Sequence, residues 1–188
     1  MWSMDKIKPD TNELEKFKKK YNGPYIISCK LDGISALYST EGETPKLYTR
    51  GDGKCAQSIN HIIEHLKIPK AKNITLRGEL IIKEKTFQEK YHIKNEKVVY
   101  SNSRNFVSGI VNKKKLSAKD IKMLKDIEFV AYEVIKPENL KPSEQLKFLE
   151  DNKETTNVVS YLSNISKEEL TNQFLSNKLI EWRTSYEY

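Results

Sequence analysis

Between Tyr25 and Thr49 the chain sets three short β-prone runs end to end, separated only by turns: "YIISCK", "ISALY" and "PKLYT". Strands joined by so few residues must run antiparallel, because parallel neighbours need a crossover of a dozen or more residues. An antiparallel meander is therefore expected here, with turns at Asp32-Gly33 and at "STEGET". Later strands are predicted over 74–82, interrupted by Gly78, over 127–135 and over 158–162. Between them lie helical segments. Leu14 and Phe17 give residues 12–21 an apolar stripe, and Ile59, Ile62, Ile63 and Leu66 do the same for 59–66. Shorter helices are expected over 86–91, within 102–111 and over 143–149. Ser117 with Asp120 and Ser166 with Glu169 have capping-box spacing, each starting a helix, the second running towards Trp182. Helices and antiparallel strands interleave without a βαβ rhythm, so the class is α+β.

The 188 residues suit one domain or part of a larger one, and with 37% hydrophobic residues they can bury a core. The two cysteines, Cys29 and Cys55, are too few for a disulfide framework or a zinc site and read as reduced thiols. His61, His65 and His92 lack metal-ligand partners, and no metal ligands are assigned. No apolar run reaches the roughly 18 residues of a membrane span, and no secretory signal is visible. An intracellular, cytoplasmic protein without a membrane partner is expected. A net charge of +7 favours polyanionic partners, although the lysine-rich stretch from Asn112 to Asp126 reads most simply as a solvated helix face.

Lys30 stands at the end of the first strand, where alternation puts Ile26, Ser28 and Lys30 on one face. A nucleophilic lysine must be neutral, and at its reference pKa only about one amine in a thousand is neutral near pH 7.4. Nearby cations raise that fraction. Arg50, Arg77 and Arg104 are the candidates.

Lys30-Leu31-Asp32-Gly33 fits the K-x-D-G motif of the covalent nucleotidyltransferases. Further segments, in order, resemble NAD-dependent DNA ligases in particular. "YTRGDG" (48–53) is similar to their ATRGDG segment, "LRGELII" (76–82) to VRGEV, "NSRNFVSG" (102–109) to NPRNAAAG and "EFVAYEV" (128–134) to FFAYGV. "SMDKI" (3–7) resembles the segment leading into the adenylation domain, and "SEQLKFL" (143–149) the helix after it. The resemblance implies an ATP-grasp-like nucleotidyltransferase domain with antiparallel sheets flanked by helices, spanning 1–188 with a lead-in over 1–10. It implies that Lys30 attacks the α-phosphorus of NAD and forms lysyl-AMP. Asp32 and Gly33 would shape the turn, Arg50 and Arg104 would meet phosphate or ribose oxygens, and Glu79 would hold the ribose. Tyr132 would stack on adenine, and Mg²⁺ would offset phosphate charge. In the complete enzyme the AMP would pass to the 5′-phosphate of nicked double-stranded DNA, and the 3′-hydroxyl would then seal the nick. A monomer is expected.

Two positions depart from the pattern. The family usually carries Glu where Ser28 stands, facing the base, and a second arginine where Asn112 stands. The resemblance also places a nicotinamide-binding segment before this chain and a D-G-x-V-x-K strand after it. The chain therefore reads as a partial adenylation domain, incomplete at its C-terminal end. Alone it is expected not to ligate DNA and to self-adenylate poorly or not at all. A ligase-derived, non-catalytic nucleic-acid-binding module, or an ATP-dependent ligase or capping-type enzyme, is the alternative; the second does not account for "NSRNFVSG".

Overall fold

The structure, a computed structural model, describes residues 6–9, 11–50, 55–94, 97–154 and 156–188. The lead-in residues Ser3 to Asp5 and the Gly51–Gly53 part of "YTRGDG" lie outside the described residues. The chain divides into two compact units, one of residues 1–29 and 160–186, the other of residues 30–159 and 187–188. Among the described residues no helix is long and apolar enough to cross a membrane.

The first unit holds α1 (Glu13–Lys20) and β1 (Tyr25–Ser28). Acidic residues fill the first turn of α1 and lysines the last, matching the helix dipole at both ends. Leu14, Tyr25, Ile165 and Leu170 make the core of this unit, with Phe17, Ile27, Leu162, Phe174 and Leu175 packed against it. The Leu14–Phe17 stripe is thus the buried side of α1, as its spacing predicts.

The second unit is built on a six-stranded sheet. Its first elements are β2 (Ile34–Ser39), β3 (Lys46–Thr49), β4 (Gln57–Ser58), a 3₁₀ helix at Asn60–His65 and β5 (Thr75–Ile82). There follow α2 (Glu84–Phe87), a π turn at Gln88–His92, and the small hairpin β6 (Ile93–Lys94) with β7 (Lys97–Val98). Then come α3 (Ser103–Val111), α4 (Ala118–Leu124), β8 (Ile127–Lys136), α5 (Pro142–Asp151) and β9 (Asn157–Val158). The chain re-enters the first unit with β10 (Tyr161–Ile165) and α6 (Asn172–Ser185).

The sheet order is β4-β3-β2-β5-β8-β9, antiparallel except for the parallel β8–β9 pair. A meander through β1, β2 and β3 does not form: β1 pairs antiparallel with β10, and only β2 and β3 make a hairpin. β1 ends at Ser28, so Lys30 lies in the connection to β2 rather than on a strand. The segment predicted as one strand over 158–162 is two, β9 and β10, belonging to different sheets. The predicted helix over 59–66 is a 3₁₀ helix that still buries Ile59 and Ile62. The helix expected over 86–91 begins earlier, at Glu84, and loosens into the π turn.

The capping box at Ser117 forms as its spacing predicts. That at Ser166 forms its two reciprocal bonds, Ser166 N–H to Glu169 at 2.8 Å and Glu169 N–H to Ser166 Oγ at 3.1 Å. It closes only a turn, however, and α6 starts later, capped by Thr171.

Alternation divides the central strands into two faces. Ala36, Tyr38, Leu47, Leu76 and Leu80 are buried on one, and the same core takes in Phe106, Val107 and Ile110 of α3. The other carries Ser35, Arg77 and Glu79. Gly78 sits where β5 and β8 approach most closely: a Cβ there would stand 2.5 Å from the Val130 carbonyl oxygen and 2.7 Å from the Phe129 ring. Neither partner can yield, since Val130 and Phe129 are themselves fully buried. Gly78→Ala is expected to destabilise the protein by about 1–3 kcal/mol, as overpacking does; urea unfolding measures it, and a change below ~0.5 kcal/mol would contradict the contact.

Candidate nucleotide site

Gly33 is the last residue before β2 and lies directly over β5. A Cβ at Gly33 would stand 2.3 Å from the Leu80 carbonyl oxygen and 2.9 Å from Glu79 Cγ, so only glycine lets this turn seat. The Gly33 N–H lies close enough to the Glu79 carboxyl to act on its charge. Glu79 is 9% exposed, opposite Ser35 on β2 and Val130 on β8. Burial pushes its carboxyl up to about 7. The Gly33 N–H and the charges of Lys30 and Arg104 act to lower it, and Asp32 to raise it. Burial wins because a nearby N–H and two partly hydrated cations do not replace the water a carboxylate loses.

Lys30 and Asp32, on either side of buried Leu31, are both exposed. Arg104, in the first turn of α3, donates from Nη1 to Asp32 Oδ1 at 2.8 Å. With the two side chains 54% and 78% exposed, such a pair adds at most about 1 kcal/mol to stability. Its consequence is geometric: it holds a guanidinium beside the lysine turn. Asn102 positions it by capping α3, its side chain accepting from the Asn105 N–H at 2.7 Å. Phe106 anchors the same helix, stacked on Tyr91 at 4.3 Å and edge-on to Tyr100 at 5.2 Å.

Tyr132 is reached through a break in the ladder. Arg77 pairs with Glu133 but Gly78 pairs with Ala131, so Tyr132 is an extra residue, a β-bulge. Its hydroxyl shares a 2.9 Å hydrogen bond with Ser35 Oγ. Burial is the main cause that pushes the phenol's pKa up, and the charge of Glu79 adds to it.

The structure therefore brings together Lys30, Asp32, Gly33, Glu79 and Arg104, with Tyr132 alongside. Arg50 follows directly on β3, one residue past the Ala36–Thr49 pair, and is exposed. Ser28 is the exposed end of β1 and pairs with Tyr161, both in the first unit. Arg77, a candidate cation beside the lysine, is ion-paired with Glu133. The Ser35 hydroxyl and the bulge had no signal in the sequence, because register is a property of paired strands. A cleft of about 580 Å³ lined by Tyr38, Thr40, Leu66, Pro69 and Asn73 shares none of these residues and opens at the other end of β2.

An exposed lysine, a guanidinium beside it and a buried, half-neutral carboxyl on one sheet end suit a phosphorylated, hydroxyl-bearing ligand. Over residues 1–188 the chain matches the family of the NAD-dependent DNA ligase adenylation domain. It belongs to that family. It is 44% identical over 158 residues to a DNA ligase of Acanthamoeba polyphaga mimivirus, across 80% of this chain and 23% of the viral protein. It is 36% identical over 182 residues to the putative DNA ligase 205R of Invertebrate iridescent virus 6, across 96% of this chain and 28% of that protein. A DNA ligase of Mycoplasmopsis pulmonis is 32% identical over 164 residues, 77% of this chain and 23% of its own length. The adenylation-domain chain thus spans about a quarter of the length of these relatives. Capture of AMP on a lysine is general to the family.

The raised carboxyl of Glu79 has a consequence for stability. Its folded pKa lies above the unfolded 4.5, so its contribution is fully present below pH 4.5 and is lost as pH rises through about 7. Wild type should lose on the order of 3 kcal/mol between pH 4.5 and 8 relative to Glu79→Gln. Urea melts of both proteins across that range measure it, and parallel curves would show that Glu79 does not titrate this way.

Proposed function

We propose that residues 1–188 are part of one ATP-grasp-like adenylation domain, and that Lys30 is its nucleophile. What supports this most is the cluster of Lys30, Arg104 and Glu79 around the Gly33 turn, in a chain of this family. Lys30 Nζ, once deprotonated, forms a bond to the α-phosphorus of NAD. The bond from that phosphorus to the nicotinamide mononucleotide oxygen breaks, leaving a lysyl-AMP phosphoramidate. Arg104 and Arg50 hold phosphate or ribose oxygens, a task suited to the forked guanidinium. Glu79, near neutral, can accept from or donate to a ribose hydroxyl. Tyr132 offers a ring face to the adenine. Ser28 provides a hydroxyl where relatives of this type place a carboxylate.

Among the described residues no group of three or more His, Cys, Asp or Glu is placed to hold a metal ion. Of the carboxylates at the turn, Asp32 is paired with Arg104 and Glu79 is buried. These residues fit Mg²⁺ in the way usual for nucleotide enzymes, held by phosphate oxygens and water with few protein ligands. The ion would offset phosphate charge.

In the whole protein we assign the next step to nicked duplex DNA, whose 5′-phosphate receives the AMP before the 3′-hydroxyl displaces it. We place the protein inside the cell, as a monomer, on the same reading.

A full-length ligase that includes this chain, incubated with NAD and Mg²⁺, should gain the mass of one AMP. Lys30→Ala should abolish the gain and Lys54→Ala should not. Labelling from ATP but not from NAD, or labelling that survives Lys30→Ala, would overturn the reading.

A further inference from the structure

Tyr132 is the unpaired residue of a bulge, so the ladder that orients Glu79 and Arg77 does not orient its ring. Its hydroxyl shares a hydrogen bond with Ser35 Oγ, at 2.9 Å across two strands. Ser35 is well placed to act as a fixed point. It lies near the start of the β2–β5 ladder, opposite Glu79 and two residues after Gly33, which has no room for a Cβ against Leu80. The bond is half-buried and both partners are neutral, so water competes with it less than at an open surface.

We propose that Ser35 is a positioning residue for nucleotide recognition, holding the Tyr132 ring in the orientation that receives the purine base. This rests on the reading of Tyr132 as the base platform. Without the bond the ring turns about its side-chain torsions on a strand segment that is already irregular. A base must then restrict that motion when it binds, and affinity falls by the cost of ordering the side chain. The geometry thus gives Ser35 an effect on the ligand through Tyr132, with no contact of its own to the ligand required.

Calorimetric titration with AMP of a full-length ligase that includes this chain tests the proposal, with melting temperature measured in parallel. Ser35→Ala and Tyr132→Phe should each weaken AMP about three- to tenfold, the range a single hydrogen bond supports. Melting temperature should move by less than about 2 °C. The double variant should lose no more than either single one, because both remove the same bond. Ser35→Thr, which keeps the hydroxyl, should restore affinity to within about twofold. Unchanged affinity in Ser35→Ala, additive losses in the double variant, or a loss that Ser35→Thr does not rescue would overturn the proposal. Tyr132→Ala separates the two levels. If it binds AMP as well as wild type, Tyr132 is not the base platform, and the proposal fails with that reading. If it loses AMP while Ser35→Ala does not, the platform stands and only the role of Ser35 falls. Absence of AMP binding by the unsubstituted full-length protein would overturn the nucleotide site and the proposal together.

Discussion

The seat of the Gly33 backbone on β5 is the contact on which the site depends. The missing side chain lets the turn seat where a Cβ would stand 2.3 Å from the Leu80 carbonyl oxygen, and the Gly33 N–H then lies near the Glu79 carboxyl. The approach buries Glu79 and fixes the start of β2. It also sets Lys30 and Asp32 on the exposed side of the turn, with Leu31 buried between them. The anchor is backbone against backbone in a closely packed region, so it cannot relax by rotamer changes.

Charge is distributed around that anchor unevenly. The Asp32–Arg104 pair is exposed and adds little to folding. Its two charges are therefore available to a ligand at small cost to the fold. Glu79 is the opposite case: buried, with its carboxyl pushed up to about 7. A carboxyl in that state can sit beside a polyphosphate with less repulsion than a full carboxylate would bring. Elsewhere the protein pairs its buried acids thoroughly. Glu128, 7% exposed, accepts from Lys67, Asn157 and Tyr188 at 2.5–3.0 Å, and Asp120 accepts from Lys113 and caps α4. Against that background, Glu79 stands out as the acid whose burial is not offset by its partners.

Much of this was legible in residue order. The K-x-D-G turn, "LRGELII", "NSRNFVSG" and "EFVAYEV" marked Lys30, Glu79, Arg104 and Tyr132, and the structure sets them on the turn before β2, on two neighbouring strands and at one helix end. The apolar stripe of α1 and the Ser117 box were equally local and formed as their spacing requires. Long-range pairing was less legible. β1 looked like the first strand of a meander, yet Tyr25 and Ile27 pair with Ile165 and Leu162, well over a hundred residues away. The Ser166 box had the correct spacing and formed its bonds, but it closed only a turn, and the helix began after Thr171. The lysine-rich stretch reads as a solvated face, although Lys113 is tied to Asp120 at 2.7 Å.

Residue type and spacing along the chain were enough to name the candidate groups: a lysine, a glycine turn, two arginines, a glutamate and an aromatic. These are local properties, carried by side-chain identity and by backbone conformations a few residues long. The bulge that frees Tyr132 from the ladder, the Ser35 hydroxyl that meets it, and the burial that brings Glu79 to about 7 came from the fold. Each depends on which strands lie side by side and in what register, and a slip of one residue would turn the same side chains to the opposite face.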